Sequence, residues 1–428
     1  MSDASVGTGR AEAVIERLHG LHPRLIDLSL GRLEALLAKL GHPERLLPPV
    51  IHVAGTNGKG STCAFLRAIA EAAGWRVHVY TSPHLVRFNE RIRVAGSIVS
   101  DAALEDALEA VEQVNAGAPI TVFEVITAVA FELFSQTPAD LCVLEVGLGG
   151  RFDATNVVAT PAACAIASIS IDHREMLGDT LGKIAFEKAG IIKPGVPVAV
   201  VAQPEEAAKI IATCAADRGA PLLVEGRAWN AEVRPDRLRF RDAAGTLDLP
   251  PPALPGLHQF ANAGLAIAAL RSSGLRVPDA AFAGIARAEW PARLQRLSGR
   301  LAKLLPTGWE LWLDGGHNQG AGEALGHHLA SWSDRPLHLI VGMKQTKDAR
   351  DFLAPLLPHA ATLWAVAEPG QHMAQPIAAI IEASGGRAQS GPTVEAALAL
   401  LPPDGPPARV LICGSLYLAG EVLKRDVA

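Results

Sequence analysis

The run Val53-Ala54-Gly55-Thr56-Asn57-Gly58-Lys59-Gly60-Ser61-Thr62 follows a short apolar stretch, Val50–Ala54, and opens a helical pattern over Ser61–Ala73. Glycines at this spacing let backbone N–H groups converge on phosphate oxygens, and a helix N-terminus favours negative charge. Lys59 stands where it would neutralise the outer phosphates of a nucleotide. The usual phosphate loop has a glycine five residues before its Gly-Lys pair and Ser or Thr directly after the lysine. Here Val53 and Gly60 occupy those places, and Ser61 comes one position later. An ordinary glycine-rich turn between strand and helix would carry similar residues. The placement between a strand and a helix favours phosphate.

Three further groups fall at the ends of apolar runs that read as strands. Ser82 follows Arg76–Tyr80, Glu145 closes Leu141–Val146 before Gly147-Leu148-Gly149-Gly150, and Asp172-His173 follows Ala163–Ile171. In an open parallel sheet, ligands bind beyond the carboxyl ends of the strands. A hydroxyl, a carboxylate and an imidazole around a triphosphate suit a divalent cation, magnesium above all. Each has a plainer reading as well. Ser82 before Pro83 is a common turn residue, His173 would serve as a strand-end histidine, and Glu145 would pair with an arginine such as Arg151.

The elements that must position these groups alternate between strand and helix. Helices are expected at Ala11–Leu18, Arg32–Leu40, Asp101–Asn115, Thr121–Phe134 and His258–Leu270, with a further strand at Pro197–Val201. A loop with apolar anchors is expected at residues 23–31. Arg234–Leu249 alternates polar and apolar residues around Ala243-Ala244-Gly245 and reads as a small antiparallel hairpin. A second run of strands, Trp309–Leu313, Leu337–Val341, Thr362–Val366 and Val410–Cys413, predicts a smaller doubly wound region. The expected fold is therefore α/β: a phosphate-loop domain with a mostly parallel sheet and a small antiparallel insert over residues 1–292, then a Rossmann-like domain over residues 293–428.

The 428 residues are 49% apolar and 19% charged, which excludes a wholly disordered chain. Lys and Arg number 39 against 44 Asp and Glu, so a globally basic nucleic-acid binder is excluded. The five cysteines, Cys63, Cys142, Cys164, Cys214 and Cys413, are far apart and lack zinc-ligand spacing, so reduced core thiols are expected. The N-terminus has no apolar signal segment, and no run of eighteen unbroken apolar residues occurs, so a soluble cytoplasmic protein without membrane partners is expected.

Taken together, the motifs resemble the folylpolyglutamate synthases of the Mur ligase superfamily, bifunctional dihydrofolate synthases among them. The resemblance rests on Gly55-Thr56-Asn57-Gly58-Lys59-Gly60-Ser61, on Thr81-Ser82-Pro83-His84-Leu85 with Asn89-Glu90-Arg91-Ile92, and on Glu145 to Asn156. It continues through Ile171-Asp172-His173, Glu187-Lys188-Ala189-Gly190-Ile191, Asp314-Gly315-Gly316-His317-Asn318 and Cys413-Gly414-Ser415-Leu416-Tyr417. It implies ATP on Gly55, Thr56, Asn57, Gly58, Lys59, Gly60 and Ser61, with Asn262, Arg293, Asp314 and His317 reaching the nucleotide from the domain interface. It implies one magnesium ion on Ser82 and Glu145 and a second on His173 and a carbamylated Lys188, with Glu145 as a candidate bridge between the two. Lys59, Glu145, His173 and Lys188 would be the catalytic set. Without the family, Lys188 reads as a surface lysine beside Glu187. Asp27, Thr121 and Phe123 fall where bifunctional bacterial members hold dihydropteroate, and Phe152, Asp153 and Ala154 are placed with them. Helix packing is an equal reading for Asp27, Thr121 and Phe123. Two small residues depart from the pattern, at Ala292 in Trp290-Pro291-Ala292-Arg293, where glycine is usual, and within Asp314-Gly315-Gly316-His317.

The activity implied is ATP-dependent amide synthesis. A substrate carboxylate would take the γ-phosphoryl group, and the amine of L-glutamate would displace phosphate from the acyl phosphate. The acceptors would be dihydropteroate and reduced folates, and the protein would act as a monomer. Three alternatives are weighed: polyglutamylation alone, a cell-wall Mur ligase, and a phosphate-loop switch with an unrelated substrate. The 54 residues before Gly55 are too few for the extra N-terminal domain of a cell-wall ligase.

Overall fold

A computed structural model describes Arg17, Asp27, residues 29–402 and residues 405–427. The expected helix at Ala11–Leu18 and the expected loop ahead of Ser29 lie outside the described residues, apart from Arg17 and Asp27.

Seventeen strands among the described residues form three sheets. The first contains β1 (Val50–Ala54), β2 (Val77–Tyr80), β3 (Ile92–Val94), β4 (Ser97–Ile98), β5 (Leu141–Glu145), β6 (Ala163–Ile166), β7 (Val198–Val200) and β8 (Leu222–Val224). Their order is β4-β3-β2-β5-β1-β6-β7-β8. The six strands from β2 to β8 in that order run parallel, while β3 and β4 pair antiparallel at one edge. All five residues of β1 are buried, as expected for a central strand covered by helices on both faces. The helix Lys59–Ala72 lies on one face and buries Phe65, Leu66 and Ile69 completely, in a cluster shared with the helix His258–Ser272. Each such side chain contributes about 1.5–3 kcal/mol when fully buried. The helix Val122–Gln136 covers the other face in a separate cluster.

The antiparallel insert has three strands, not two. β9 (Trp229–Arg234), β10 (Arg237–Asp242) and β11 (Gly245–Leu249) form it, with β10 central. The expected hairpin is β10–β11. The strand missed, β9, buries Trp229, which anchors the insert against the helix His258–Ser272.

The third sheet contains β12 (Gln295–Leu297), β13 (Glu310–Leu313), β14 (Leu337–Val341), β15 (Thr362–Ala365), β16 (Ala388–Ser390) and β17 (Arg409–Cys413), in the order β12-β13-β17-β14-β15-β16. Only β12 is antiparallel. The α/β architecture matches the reading from sequence. The five cysteines are free and buried. No helix among the described residues is long and apolar enough to cross a membrane.

The helices and loops flanking the two parallel sheets meet directly. In the helix Leu416–Arg425, a Cβ on Gly420 would stand 2.1 Å from the Leu85 carbonyl oxygen, so only glycine lets that helix approach the loop after β2 so closely.

Candidate active site

The carboxyl ends of both parallel sheets face one cleft of about 800 Å³. Every site candidate named from the sequence lines it, from Asp27 and Gly55 through Glu145 and Lys188 to Asp314 and His317.

The phosphate loop is built from its neighbours. The expected strand Ala163–Ile171 ends at Ile166, and the remainder leaves the sheet to brace the loop. The Ser168 carbonyl accepts from Thr56 N–H at 2.8 Å and Asn57 N–H at 3.1 Å. Thr56 Oγ1 donates to the Ser170 carbonyl at 3.0 Å. Gly58 has φ of +87° and caps the helix, which starts at Lys59, two residues earlier than expected. A Cβ on Gly58 would lie 2.4 Å from Asn262 Oδ1, so this position demands glycine for both its conformation and its packing. Two lysines sit on the carbonyls of this loop. Lys59 Nζ donates to Thr56 O at 3.3 Å, and Lys188 Nζ donates to Gly55 O at 2.9 Å. Neither has an ion-pair partner among the described residues. Lys188 is buried, not on the surface. Burial, and secondarily the charge of Lys59, push its ammonium down to about 7.

Glu145 ends β5 and is buried. Burial raises its carboxyl above the usual range, against the pull of Lys59 and of a 3.3 Å hydrogen bond from Ser82 N–H. No arginine or lysine forms an ion pair with it among the described residues; Arg151 pairs with Glu187 at 3.8 Å. His173 adopts φ of +51° just beyond the bracing segment, and burial lowers its imidazole to about 4. No group of three or more His, Cys, Asp or Glu among the described residues is arranged to hold a metal unaided. The donors present are a hydroxyl, a buried carboxylate without a cation and a neutral imidazole. That set fits magnesium whose remaining ligands are phosphate oxygens and water.

A polar chain joins the two sheets over the phosphate loop. Asn57 Nδ2 donates to Asn318 Oδ1 at 3.0 Å, and Asn318 Nδ2 donates to Asn57 Oδ1 at 3.1 Å and to Asp172 Oδ2 at 3.0 Å. Lys347, beyond β14, pairs with Asp172 and lies 3.4 Å from His173 Nε2. Burial pushes the Asp172 carboxyl up, but Lys347, His173 and His317 outweigh it and hold the group well below the usual carboxylate range. His317 Nδ1 donates to the Gly315 carbonyl at 2.9 Å, leaving Nε2 3.8 Å from Asp172. Burial, then Lys347, lower His317 to about 4. Asp314 accepts from Leu294 N–H at 2.9 Å and Gly316 N–H at 2.7 Å and so braces the loops around Arg293. Ala292 has φ of +55°, which is why a glycine would suit that position better.

On the other side of Glu145 the cleft is less polar. Phe123 packs against Gly147, and Phe152 is 38% exposed beneath the Arg151 guanidinium at 4.6 Å. Thr121 caps the helix Val122–Gln136, its hydroxyl donating to Glu124 at 2.7 Å. Asp27 pairs with Arg32, which also reaches Glu124. Asp153 accepts from Leu148 N–H at 2.8 Å and from Thr155 Oγ1 at 2.6 Å, holding the loop beside Ala154 in shape. Sequence reading assigned no role to Asp172 or Asn318, although both lie in quoted motifs. It missed Lys344, Lys347 and His372, which stand in no motif.

A glycine-rich loop with lysines unpaired among the described residues and a second parallel sheet facing the same cleft suit a Mur-type ligase, and the comparisons give that family. The Mur ligase middle-domain family matches residues 53–270, and the family described as dihydrofolate synthetase, C-terminal domain, matches residues 300–425. An Escherichia coli dihydrofolate synthase/folylpolyglutamate synthase is 41% identical over 340 residues, spanning 79% of this chain and 77% of its own. The structure of E. coli FolC in complex with DHPP and ADP superposes with a TM-score of 0.87 at 35% identity, covering 98% of each chain. A bifunctional folylpolyglutamate synthase/dihydrofolate synthase with Mn, AMPPNP and L-glutamate bound gives 0.86 at 33% identity, again over 98% of each. The chain belongs to the dihydrofolate synthase/folylpolyglutamate synthase family of ATP-dependent ligases.

Proposed function

We propose that the protein joins L-glutamate to dihydropteroate, and to the γ-carboxyl of reduced folates, at the expense of ATP. One observation carries the reading: two lysines and a buried Glu145, none of them in an ion pair among the described residues, share one cleft with an aromatic-lined recess. Family membership over nearly the whole chain supplies the substrates.

In this reading Gly55, Thr56, Asn57, Gly58, Lys59, Gly60 and Ser61 hold the triphosphate, and Asn262, Arg293, Asp314 and His317 complete the nucleotide site. Ser82 and Glu145 hold one magnesium, and His173 with Lys188 a second. Lys188, depressed to about 7, is an uncharged amine in much of its population near neutral pH, as reaction with carbon dioxide requires. The carbamate replaces a cation by an oxygen donor. Magnesium supplies charge neutralisation on the transferring phosphoryl group. Phe123, Phe152 and Ala154 face the flat pterin, with Asp27, Thr121 and Asp153 setting the polar edge of that recess.

The substrate carboxylate attacks the γ-phosphorus in line, giving an acyl phosphate and ADP. Lys59 stabilises the equatorial oxygens. The glutamate amine then attacks the acyl carbon and phosphate departs. Residues 1–292 and 293–428 act as two domains, and the polar chain through Asn57, Asn318, Asp172 and Lys347 holds them closed against water. The protein works as a cytoplasmic monomer. The test is product mass after incubation with ATP, magnesium and L-glutamate, with dihydropteroate, tetrahydrofolate or neither. Glutamylated product from both acceptors is expected. Product from tetrahydrofolate alone would restrict the protein to polyglutamylation, and none from either would overturn the reading.

A further inference from the structure

The wall of the cleft contributed by the third sheet carries a cation that the chemistry above leaves unused. Lys344 lines the cleft together with His372 and Tyr417. Its ammonium lies 5.2 Å from the centre of the Tyr417 ring, and the His372 ring lies 5.1 Å from the same ring. The loop beneath is braced. Gln345 N–H donates to Met373 O at 2.9 Å, Gln375 N–H to Met343 O at 2.8 Å, and Gln371 Nε2 to Met343 O at 3.1 Å. Lys344 has no acidic partner among the described residues, whereas Lys347, three residues on, is committed to Asp172. Burial and the charge of Lys347 both lower the Lys344 ammonium, and burial also lowers the His372 imidazole. A bound anion would relieve the strain on the lysine.

L-Glutamate brings two carboxylates and one reacting amine to this cleft. The amine must stay free to attack, so both carboxylates need donors elsewhere. We propose that Lys344, steadied on the face of Tyr417, holds one carboxylate of the incoming L-glutamate. The inference rests on the proposed ligase activity and adds a specificity-determining residue to it. An ammonium fixed on an aromatic face in a partly dry cleft is suited to a carboxylate, and among the described residues nothing else on this wall supplies an uncommitted lysine.

The test is steady-state kinetics of Lys344→Met and Lys344→Arg with both acceptors, alongside calorimetric binding of L-glutamate to each protein with magnesium and a non-hydrolysable ATP analogue. Lys344→Met is expected to raise the KM and Kd for L-glutamate roughly 10- to 100-fold, the worth of one charge-assisted hydrogen bond. The rise should be equal with dihydropteroate and tetrahydrofolate, while the KM for ATP and the melting temperature stay put. Lys344→Arg should recover most of the affinity. An unchanged glutamate KM would overturn the proposal. So would an effect on ATP, or one confined to tetrahydrofolate, which already bears a glutamate. Absence of turnover in the unaltered protein would count against the ligase reading instead, and the binding measurement would still decide the role of Lys344.

Discussion

The loop after β1 and the loop after β14 occupy equivalent places, each at the carboxyl end of a parallel strand and each presenting lysine to the same cleft. They hold that charge in different ways. The first loop seats Lys59 and Lys188 on its own carbonyls, with no acid paired to either among the described residues. The second commits Lys347 to Asp172, an acid of the other sheet's loops 175 residues away in sequence. The lysines of the first loop are therefore already placed and free of acids among the described residues, whereas the arrangement of the second depends on the two sheets being closed. In the proposed reading the triphosphate is therefore held chiefly by the first loop, while coupling of ATP to ligation depends on closure.

The largest effect is expected of Lys59→Ala. Loss of the phosphate cation should cut kcat by roughly 10³-fold or more in both ligations. The melting temperature should hold, because among the described residues the Lys59 ammonium bonds only one loop carbonyl. Next comes Lys188→Met, expected to cost on the order of 10²-fold in turnover. Carbon-13 NMR under labelled carbon dioxide should lose a carbamate signal in that variant, and survival of the signal would assign it elsewhere. Lys347→Met sharpens the contrast. With closure weakened, the KM for ATP should stay within about twofold while phosphate release without ligation rises several-fold, since water reaches the acyl phosphate. Tight coupling in that variant would show that the second loop does not govern closure.

The smallest effect concerns a histidine with no place in the chemistry. His52 lies in β1, fully buried, with Nε2 2.8 Å from Thr155 Oγ1. Burial, and then Lys193, lower it to about 3. Its stabilising contribution is complete above the ordinary imidazole value near 6.5 and is lost as pH falls toward 3, because the unfolded chain takes up the proton first. Denaturant titrations should show stability falling by up to about 1.4 kcal/mol per pH unit in that window from this group. An asparagine at position 52 should flatten the slope while the first loop keeps its ATP affinity.

Much of the architecture was legible because its signals are local. Val50–Ala54, Asp101–Asn115 and Leu337–Val341 have the bounds that periodicity and flanking residues predict. The phosphate loop and the groups at strand ends were legible because a parallel sheet sends its loops to one edge. The edge strands Ile92–Val94, Ser97–Ile98, Gln295–Leu297 and Ala388–Ser390 were not, since two or three residues show no alternation. The extent of β6 was overestimated for a different reason. Residues 167–171 are as apolar as a strand but spend their backbone on Thr56 and Asn57. Lys344 and Lys347 owe their positions to pairing between residues 343–345 and 373–375, and that pairing leaves no mark in either stretch alone.

In the proposed mechanism this cleft makes an acyl phosphate before it makes an amide. That order is tested most directly with dihydropteroate labelled with oxygen-18 in its carboxylate, turned over with ATP and L-glutamate. If the carboxylate attacks the γ-phosphorus, one labelled oxygen must leave with each phosphate released. Mass spectrometry should find that label in inorganic phosphate in proportion to dihydrofolate formed. Amide formation with unlabelled phosphate would exclude the acyl phosphate.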